Sequence, residues 1–228
     1  MDFVGLEKLS LVDYDEKIAC TLFMEGCNFR CPFCHNAQLV NKTNNNIIPW
    51  DDVLAFLNRR KGIMDAVVIT GGEPTLMDDL EDKIIQIKKI GYEVKLDTNG
   101  TNPKIIKKLV NKNLIDYIAM DIKGSLDNYN DVSGTNVNLK NIQETISFLI
   151  NSNIDYEFRT TLIEEFHDID TIEKIGKMIC GAKKYRLQKF IDSDTCIKRG
   201  LHPVSKENAL QMKDVLSKYI NDIELRSY

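Results

Sequence analysis

Three cysteines, Cys27, Cys31 and Cys34, follow the pattern C-x3-C-x2-C in a stretch that also holds Gly26 and Pro32. Glycine and proline interrupt helices and strands, so the thiols are expected on a loop. Such a loop can wrap three thiolates around one soft-metal centre. Iron–sulfur clusters normally take four cysteines. With three, one iron keeps an open coordination position, and an open position marks a metal that does chemistry. Two other readings stay open. Zinc could recruit His35 or Cys20 as a fourth ligand, although four-cysteine zinc sites usually come as two C-x2-C pairs. A redox-active C-x2-C at Cys31 and Cys34 would leave Cys27 unexplained. Cys20, in a strand, and Cys180, at a helix end, are expected as small buried apolar residues, and Cys196 as an exposed thiol in a polar loop. No cysteine lies between Cys34 and Cys180, so a second ferredoxin-type cluster cannot be built.

Positioning these thiols falls to an alternation of short apolar strands and longer amphipathic helices. The strands are predicted at Ala19–Met24, Ala66–Thr70, Glu93–Thr98, Tyr117–Ile122, Tyr156–Leu162 and Tyr185–Phe190, each rich in Val, Ile, Phe, Tyr or Thr. Helices are predicted at Trp50–Arg60, Leu76–Ile90, Pro103–Asn111, Leu139–Asn151, Asp170–Ile179 and Ser205–Ile220. The asparagine-rich run 41–46 reads as a polar loop. Six strand–helix units in a row predict an α/β protein with a parallel sheet. Six is fewer than the eight of a closed barrel, so an open partial (β/α)6 barrel fits best, with a doubly wound sheet as the other candidate. One domain is expected over 1–228, with a cluster loop at 25–36 and the N-terminal segment 1–18 packed against the barrel.

Both architectures place the active site beyond the carboxyl ends of the strands. The first strand runs into the cysteine loop and the second into Gly71-Gly72-Glu73-Pro74. The third ends in Asp97-Thr98-Asn99-Gly100 and the fourth in Asp121-Ile122-Lys123-Gly124. Every unusual polar cluster therefore lands on one rim. Lys123 and Arg159 belong to otherwise apolar strands, where a charge is costly unless it faces the barrel mouth. His167 and His202 are expected on the surface, while Asp97 and Thr98 also suit ordinary Asx-turn chemistry at a strand end.

The 228 residues carry 30 basic against 34 acidic side chains, a net charge of −4, with 43% hydrophobic and 28% charged residues. That composition suits a soluble globule and argues against a nucleic-acid track, which needs a basic excess. No apolar run approaches the roughly 18 residues of a membrane span. Met1–Lys8 lacks the basic start and apolar block of a signal peptide. A cytoplasmic protein is expected, and in a reducing compartment a local cysteine cluster reads as metal or redox chemistry.

C-x3-C-x2-C with Phe33 before the last cysteine, joined by Gly71-Gly72-Glu73-Pro74 at the end of the second strand, resembles the signature of the radical S-adenosylmethionine (SAM) enzymes. Cys34-His35-Asn36, together with Leu9-Ser10-Leu11-Val12-Asp13-Tyr14, is similar to the activating enzymes of glycyl-radical enzymes. The likeness is greatest to anaerobic ribonucleoside-triphosphate reductase activating proteins, and then to pyruvate formate-lyase activating enzyme. It implies a [4Fe-4S] cluster on Cys27, Cys31 and Cys34, whose open iron chelates SAM. Phe33, Cys34, His35, Gly71, Gly72, Glu73, Asp121, Lys123 and Arg159 are implied around SAM, with His35 in a backbone and packing role. Lys123, Arg159 and Asp13 are candidates lining the reacting site. Asp97, Thr98, Ala119 and Asp121 match a monovalent cation site. The resemblance also implies reductive cleavage of SAM and transfer of the radical to a glycine of a partner, most like anaerobic ribonucleotide reductase. Flavodoxin or ferredoxin would donate the electron; no nucleic acid or membrane takes part. Where relatives continue Val-Asp-Tyr with Pro-Gly, this chain reads Asp15-Glu16, which puts the identity of the partner in question. Segment 124–138 is a candidate for docking it. The competing functions are a small-molecule radical SAM enzyme, similar to 7-carboxy-7-deazaguanine synthase, and a zinc-stabilised binding module.

Overall fold

Runs such as Ala66-Val67-Val68-Ile69 leave little choice of conformation. Branched side chains lose rotamer freedom in a helix and pack well on a pleated surface. The computed structural model describes residues 2–41, 43 and 46–228, so Lys42, Asn44 and Asn45 of the expected polar loop lie outside the described residues. Two compact units are present. The first comprises Met1–Asn28, Gln38–Thr98 and Lys104–Ile118, and the second Phe29–Ala37, Asn99–Pro103 and Ala119–Tyr228.

The first unit holds β1 (Phe3–Ser10), β2 (Ala19–Met24), β3 (Ala66–Gly71), β4 (Glu93–Thr98) and the opening residues of β5 (Tyr117–Asp121). Strand neighbours follow chain order. β1 is antiparallel to β2, whereas β2–β3 and β3–β4 are parallel. Its helical elements are α1 (Ala37–Val40), α2 (Trp50–Arg60), a 3-10 turn (Pro74–Leu76), α3 (Leu80–Ile90) and α4 (Pro103–Asn111). Leu80, Ile84 and Ile87 form the buried stripe of α3, and Gly91 ends that helix in the left-handed region.

The second unit holds the end of β5, α5 (Tyr129–Ser133), α6 (Leu139–Ile150), β6 (Asp155–Leu162), α7 (Ile169–Met178), β7 (Lys184–Lys189), α8 (Lys206–Leu216) and β8 (Asp222–Arg226). β6–β7 and β7–β8 are parallel. Asn138, Asp168 and Ser205 cap α6, α7 and α8 through their side-chain oxygens. Tyr156, Phe158, Tyr185 and Leu187 are fully buried between the strands and these helices.

All six expected strands form, within a residue at either end. β1 and β8 were not expected. The first pairs its edge with β2, and the second is a five-residue strand whose pattern is too short to separate from a loop. α3 starts at Leu80 instead of Leu76, because Pro74 opens a separate 3-10 turn. α8 stops at Leu216, short of the expected Ile220.

Three burial expectations are corrected. Cys180 is exposed, since it lies beyond the end of α7 while Ile179 takes the inward place. Cys196 is buried, its sulfur turned toward the Phe33 carbonyl. His167 is buried with both ring nitrogens hydrogen-bonded inside the second unit. Among the described residues, no helix is long and apolar enough to cross a membrane.

Candidate active site

In the first unit, parallel register sets Met24 level with Gly71, so the chain leaves β2 and β3 side by side. The Gly72 amide donates to the Met24 carbonyl (2.9 Å), and the Glu73 amide to the Gly26 carbonyl (2.9 Å), one residue before Cys27. Gly71 has φ +111°, and a Cβ there would lie 2.5 Å from the Met24 backbone nitrogen and oxygen. At Gly72 a Cβ would lie 1.9 Å from the Gly26 oxygen. The glycine pair is therefore required by the close approach of β3 to the start of the cysteine loop.

Glu73 is fully buried, and its Oε1 accepts from the Thr75 amide (3.1 Å), the Thr75 hydroxyl (2.6 Å) and the Thr98 hydroxyl (2.8 Å). The carboxylate thus caps the 3-10 turn and ties it to the end of β4. Asp97 receives the Thr70 hydroxyl (3.3 Å) and lies 3.6 Å from the Lys95 ammonium. Lys95 also donates to the Asp13 carbonyl, while the Asp13 carboxylate accepts from Thr21 (2.6 Å). Sequence reasoning missed Lys95. The rule that singled out Lys123 and Arg159 applies to it equally, since it sits between Val94 and Leu96 and is only 4% exposed.

In the second unit, Cys31 is buried and Cys34 half-buried. Burial pushes the Cys34 thiol up, against the amide of Asn36 and the charge of Lys123, which favour the thiolate. Phe33 is buried against Phe166 and Phe190 (ring centroids 6.5 Å from each), with the Lys123 ammonium 5.8 Å from its centroid. The exposed His35 ring packs edge-on against Phe190 at 5.6 Å. Asp121, the last residue of β5, receives Arg159 Nε at 2.9 Å and Lys123 Nζ at 3.0 Å. Burial alone would raise its carboxyl, but the guanidinium and ammonium outweigh that and hold it near a pKa of about 2. Lys123 is likewise held charged: burial disfavours the ammonium, and Asp121 more than compensates. Ala119 is buried within β5.

His167 Nε2 donates to the Lys123 carbonyl (2.9 Å), and its Nδ1 accepts from the Ile163 amide (3.1 Å). Those partners fix one neutral tautomer, and burial lowers the pKa. No sequence signal marked it. The expected docking segment 124–138 proves to be partly interior: Ser125, Tyr129, Val132 and Ser133 are buried, and Ser133 accepts the Arg30 amide (2.8 Å).

The donor set suits an iron–sulfur cluster. Cys27, Cys31 and Cys34 fall within eight residues with none of them joined in a disulfide, and each is at least half-buried. Among the described residues no three His, Cys, Asp or Glu side chains converge as ligands of one metal ion must. Thiolates that each hold a different iron of a cluster need no such convergence.

The model of the radical SAM superfamily matches residues 21–179. The chain belongs to this superfamily. A [4Fe-4S] cluster and SAM are therefore its cofactors, and it is an enzyme, so the zinc-stabilised module falls away. Two relatives from Methanocaldococcus jannaschii, both provisionally named glycyl-radical enzyme activating enzymes, align along nearly the whole chain. One is 34% identical over 98% of this chain and 95% of its own length; the other is 27% identical over 97% and 85%. Streptococcus suis SuiB, solved with SAM bound, matches with a TM-score of 0.71 at 14% identity. The match covers 91% of this chain, which spans about half (52%) of that solved chain. The likeness shows the α/β fold of radical SAM enzymes, in line with the open partial (β/α)6 barrel expected from sequence.

Proposed function

We propose that this chain is the activating enzyme of a glycyl-radical enzyme, with anaerobic ribonucleotide reductase as the partner and flavodoxin or ferredoxin as the electron donor. The observation that carries the reading is the end-to-end relationship, at 34% identity, to a protein named for that activity. When bound, the cluster and SAM supply reductive cleavage of a sulfonium and the radical that takes a hydrogen atom from a glycine Cα.

The chain's own work is to hold, orient and exclude. Cys27, Cys31 and Cys34 would hold the cluster. The β3 end, Gly71-Gly72-Glu73, sets the position of the loop's first residues and leaves backbone to face the amino acid part of SAM. Phe33 and the backbone of Cys34 and His35 would border adenine. Asp121, Lys123 and Arg159 form one charged group with a fixed protonation pattern at neutral pH, suited to orienting a zwitterion. Asp97, Thr98, the Ala119 carbonyl and Asp121 would hold a monovalent cation. The Thr98 hydroxyl gives its proton to Glu73 and so keeps lone pairs for such an ion. Asp13, with Lys123 and Arg159, would line the reacting site, and the acidic Asp15-Glu16 turn would face the partner. The single-domain organisation, with residues 1–18 against the barrel, and a cytoplasmic location complete the reading; a local cluster of metal-binding cysteines suits a reducing compartment.

The test is electron paramagnetic resonance on an anaerobic mixture of reconstituted protein, SAM, reduced flavodoxin and the large ribonucleotide reductase subunit. A glycine-centred radical on the partner, dependent on SAM, is expected. Rearrangement of a pterin substrate with no radical on the partner would favour a small-molecule radical SAM enzyme instead.

A further inference from the structure

Residues 31–34 have little structure of their own. The backbone bond they make among themselves is Cys34 N–H to the Cys31 carbonyl, at 3.0 Å. Buried carbonyls without partners are costly, so the next three must find donors elsewhere. All three find them in one distant segment. Lys198 N–H donates to the Pro32 carbonyl (2.7 Å), the Cys196 thiol points at the Phe33 carbonyl (3.8 Å), and Ile197 N–H donates to the Cys34 carbonyl (3.2 Å). Phe190, at the head of the same segment, packs its ring against both Phe33 and His35.

The segment is closed on itself by one carboxylate. Asp192 Oδ1 accepts from Arg199 Nε (3.0 Å) and its Oδ2 from the Gly200 amide (3.2 Å); Arg199 also reaches Asp194. Within this ring a turn carries Cys196 N–H to the Ser193 carbonyl (3.1 Å) and aims the thiol inward, beside the Ser193 hydroxyl. Phe29–Ala37 and the 190–200 segment lie in the same unit.

We propose that residues 190–200 form a strap that holds the backbone of the cysteine loop in its cluster-binding shape, and that Asp192 is the positioning residue that keeps the strap closed. Asp192 touches neither the cysteines nor any reacting group; it acts by fixing where the amides of Ile197 and Lys198 point. A charged acceptor gripping a backbone amide and a guanidinium together is worth more than an exposed ion pair alone, which contributes little. The proposal rests on reading Cys31 and Cys34 as cluster ligands.

The test compares wild type with Asp192→Ala, Asp192→Asn and, as a control for general destabilisation, Asp168→Ala, which removes the α7 cap elsewhere in the same unit. One readout is the rate at which a ferrous chelator strips iron from the reconstituted protein. The other is amide hydrogen exchange of Ile197 and Lys198 in the protein before reconstitution. Asp192→Ala is expected to speed both about tenfold, with Asp192→Asn in between because it keeps an oxygen for Gly200. Asp168→Ala should leave both near wild type despite a comparable fall in melting temperature. Equal rates for the two alanine variants, or wild-type exchange at Ile197 and Lys198 in Asp192→Ala, would overturn the proposal. If Asp192→Ala does not fold, Cys196→Ala against Cys196→Ser asks the same question at the Phe33 carbonyl, and equal iron-release rates overturn it. Cys34→Ala tests the ligand reading separately: full iron content there defeats that reading while the exchange result still judges the strap.

Discussion

Replacing Gly72 by alanine tests whether the glycine pair serves the cysteine loop. A Cβ at Gly72 would stand 1.9 Å from the Gly26 oxygen, 2.6 Å from its carbon and 3.3 Å from the Cys27 nitrogen. Real Cβ contacts essentially never fall below 3.0 Å, and all three atoms are backbone, so the loop itself must retreat by about an ångström. That retreat breaks the 2.9 Å bond from the Glu73 amide to Gly26 and strains the 2.9 Å bond from the Gly72 amide to Met24. Two hydrogen bonds at about 1 kcal/mol each, plus roughly 1–3 kcal/mol for overpacking, give a loss of about 3–5 kcal/mol. Gly91→Ala is the comparison. That glycine has φ +114° but open space around it, so alanine there costs only the backbone term, about 1–2 kcal/mol. The assay is urea denaturation of the reduced protein without iron, paired with iron and sulfide content after anaerobic reconstitution. Gly72→Ala should lose more stability than Gly91→Ala, by at least about 1 kcal/mol, and bind substoichiometric iron. If the two variants are equally stable and Gly72→Ala fills normally with iron, the close approach of β3 to the loop does not constrain the site.

Asp121→Ala strands Arg159 and Lys123 without their carboxylate. A fully buried pair would lose about 3–5 kcal/mol, and the 13–30% exposure of these side chains lowers that to about 1–3 kcal/mol in denaturant unfolding. Because the Asp121 carboxyl is held near a pKa of about 2, below its ordinary value, its contribution is complete above about pH 4 and lost only as pH falls through 2. Wild type should therefore show no titration from this group between pH 5 and 8. His167 behaves differently. Its depressed pKa means that below about pH 6.5 the unfolded chain binds a proton the folded chain refuses, so stability declines as pH falls from there; His167→Gln should flatten that slope in pH-dependent melting curves. Brief alkylation of the native protein, mapped by mass spectrometry, should label the exposed Cys180 first. Cys20, fully buried with its thiol pushed up to about 12, should react only in denaturant.

The six central strands were legible in two ways: β2, β3 and β5 are short, nearly apolar runs between turn signals, whereas β4, β6 and β7 alternate apolar with polar or charged residues. β1 was not legible: Glu7-Lys8-Leu9 reads as surface, and only pairing with β2 makes it a strand. The cysteine spacing and the Gly71-Gly72-Glu73-Pro74 run were visible as chemistry, yet the reason for the glycines was not. A 1.9 Å approach between residues 26 and 72 depends on parallel register, which no local pattern encodes. Polarity misled at His167 and Cys196. Both sit among polar neighbours in sequence, but hydrogen bonds to the carbonyls of Lys123 and Phe33 carry them inside. Burial by long-range hydrogen bonding leaves no trace in composition.

The same contrast explains why three thiols with the right spacing are not by themselves a cluster site. Spacing places sulfur along the chain, but an irregular loop keeps a shape only if its buried amides and carbonyls are satisfied from outside. Here Gly26 is gripped by Leu39 and Glu73 in the first unit. In the second, Arg30 donates to Ser133, and a Cβ on Gly134 would come within 2.2 Å of the Arg30 carbonyl. Pro32 to Cys34 depend on residues 196–198, which lie beyond the 21–179 region that the superfamily model matches. Support for a loop of about ten residues thus comes from four separate stretches, the farthest more than 160 positions away. Iron retention should consequently fail through substitutions remote from every cysteine, and it should fail locally, with melting temperature as a poor guide. A thermally stable variant that cannot hold iron is the expected phenotype of a lost support, whereas a lost core residue lowers both together.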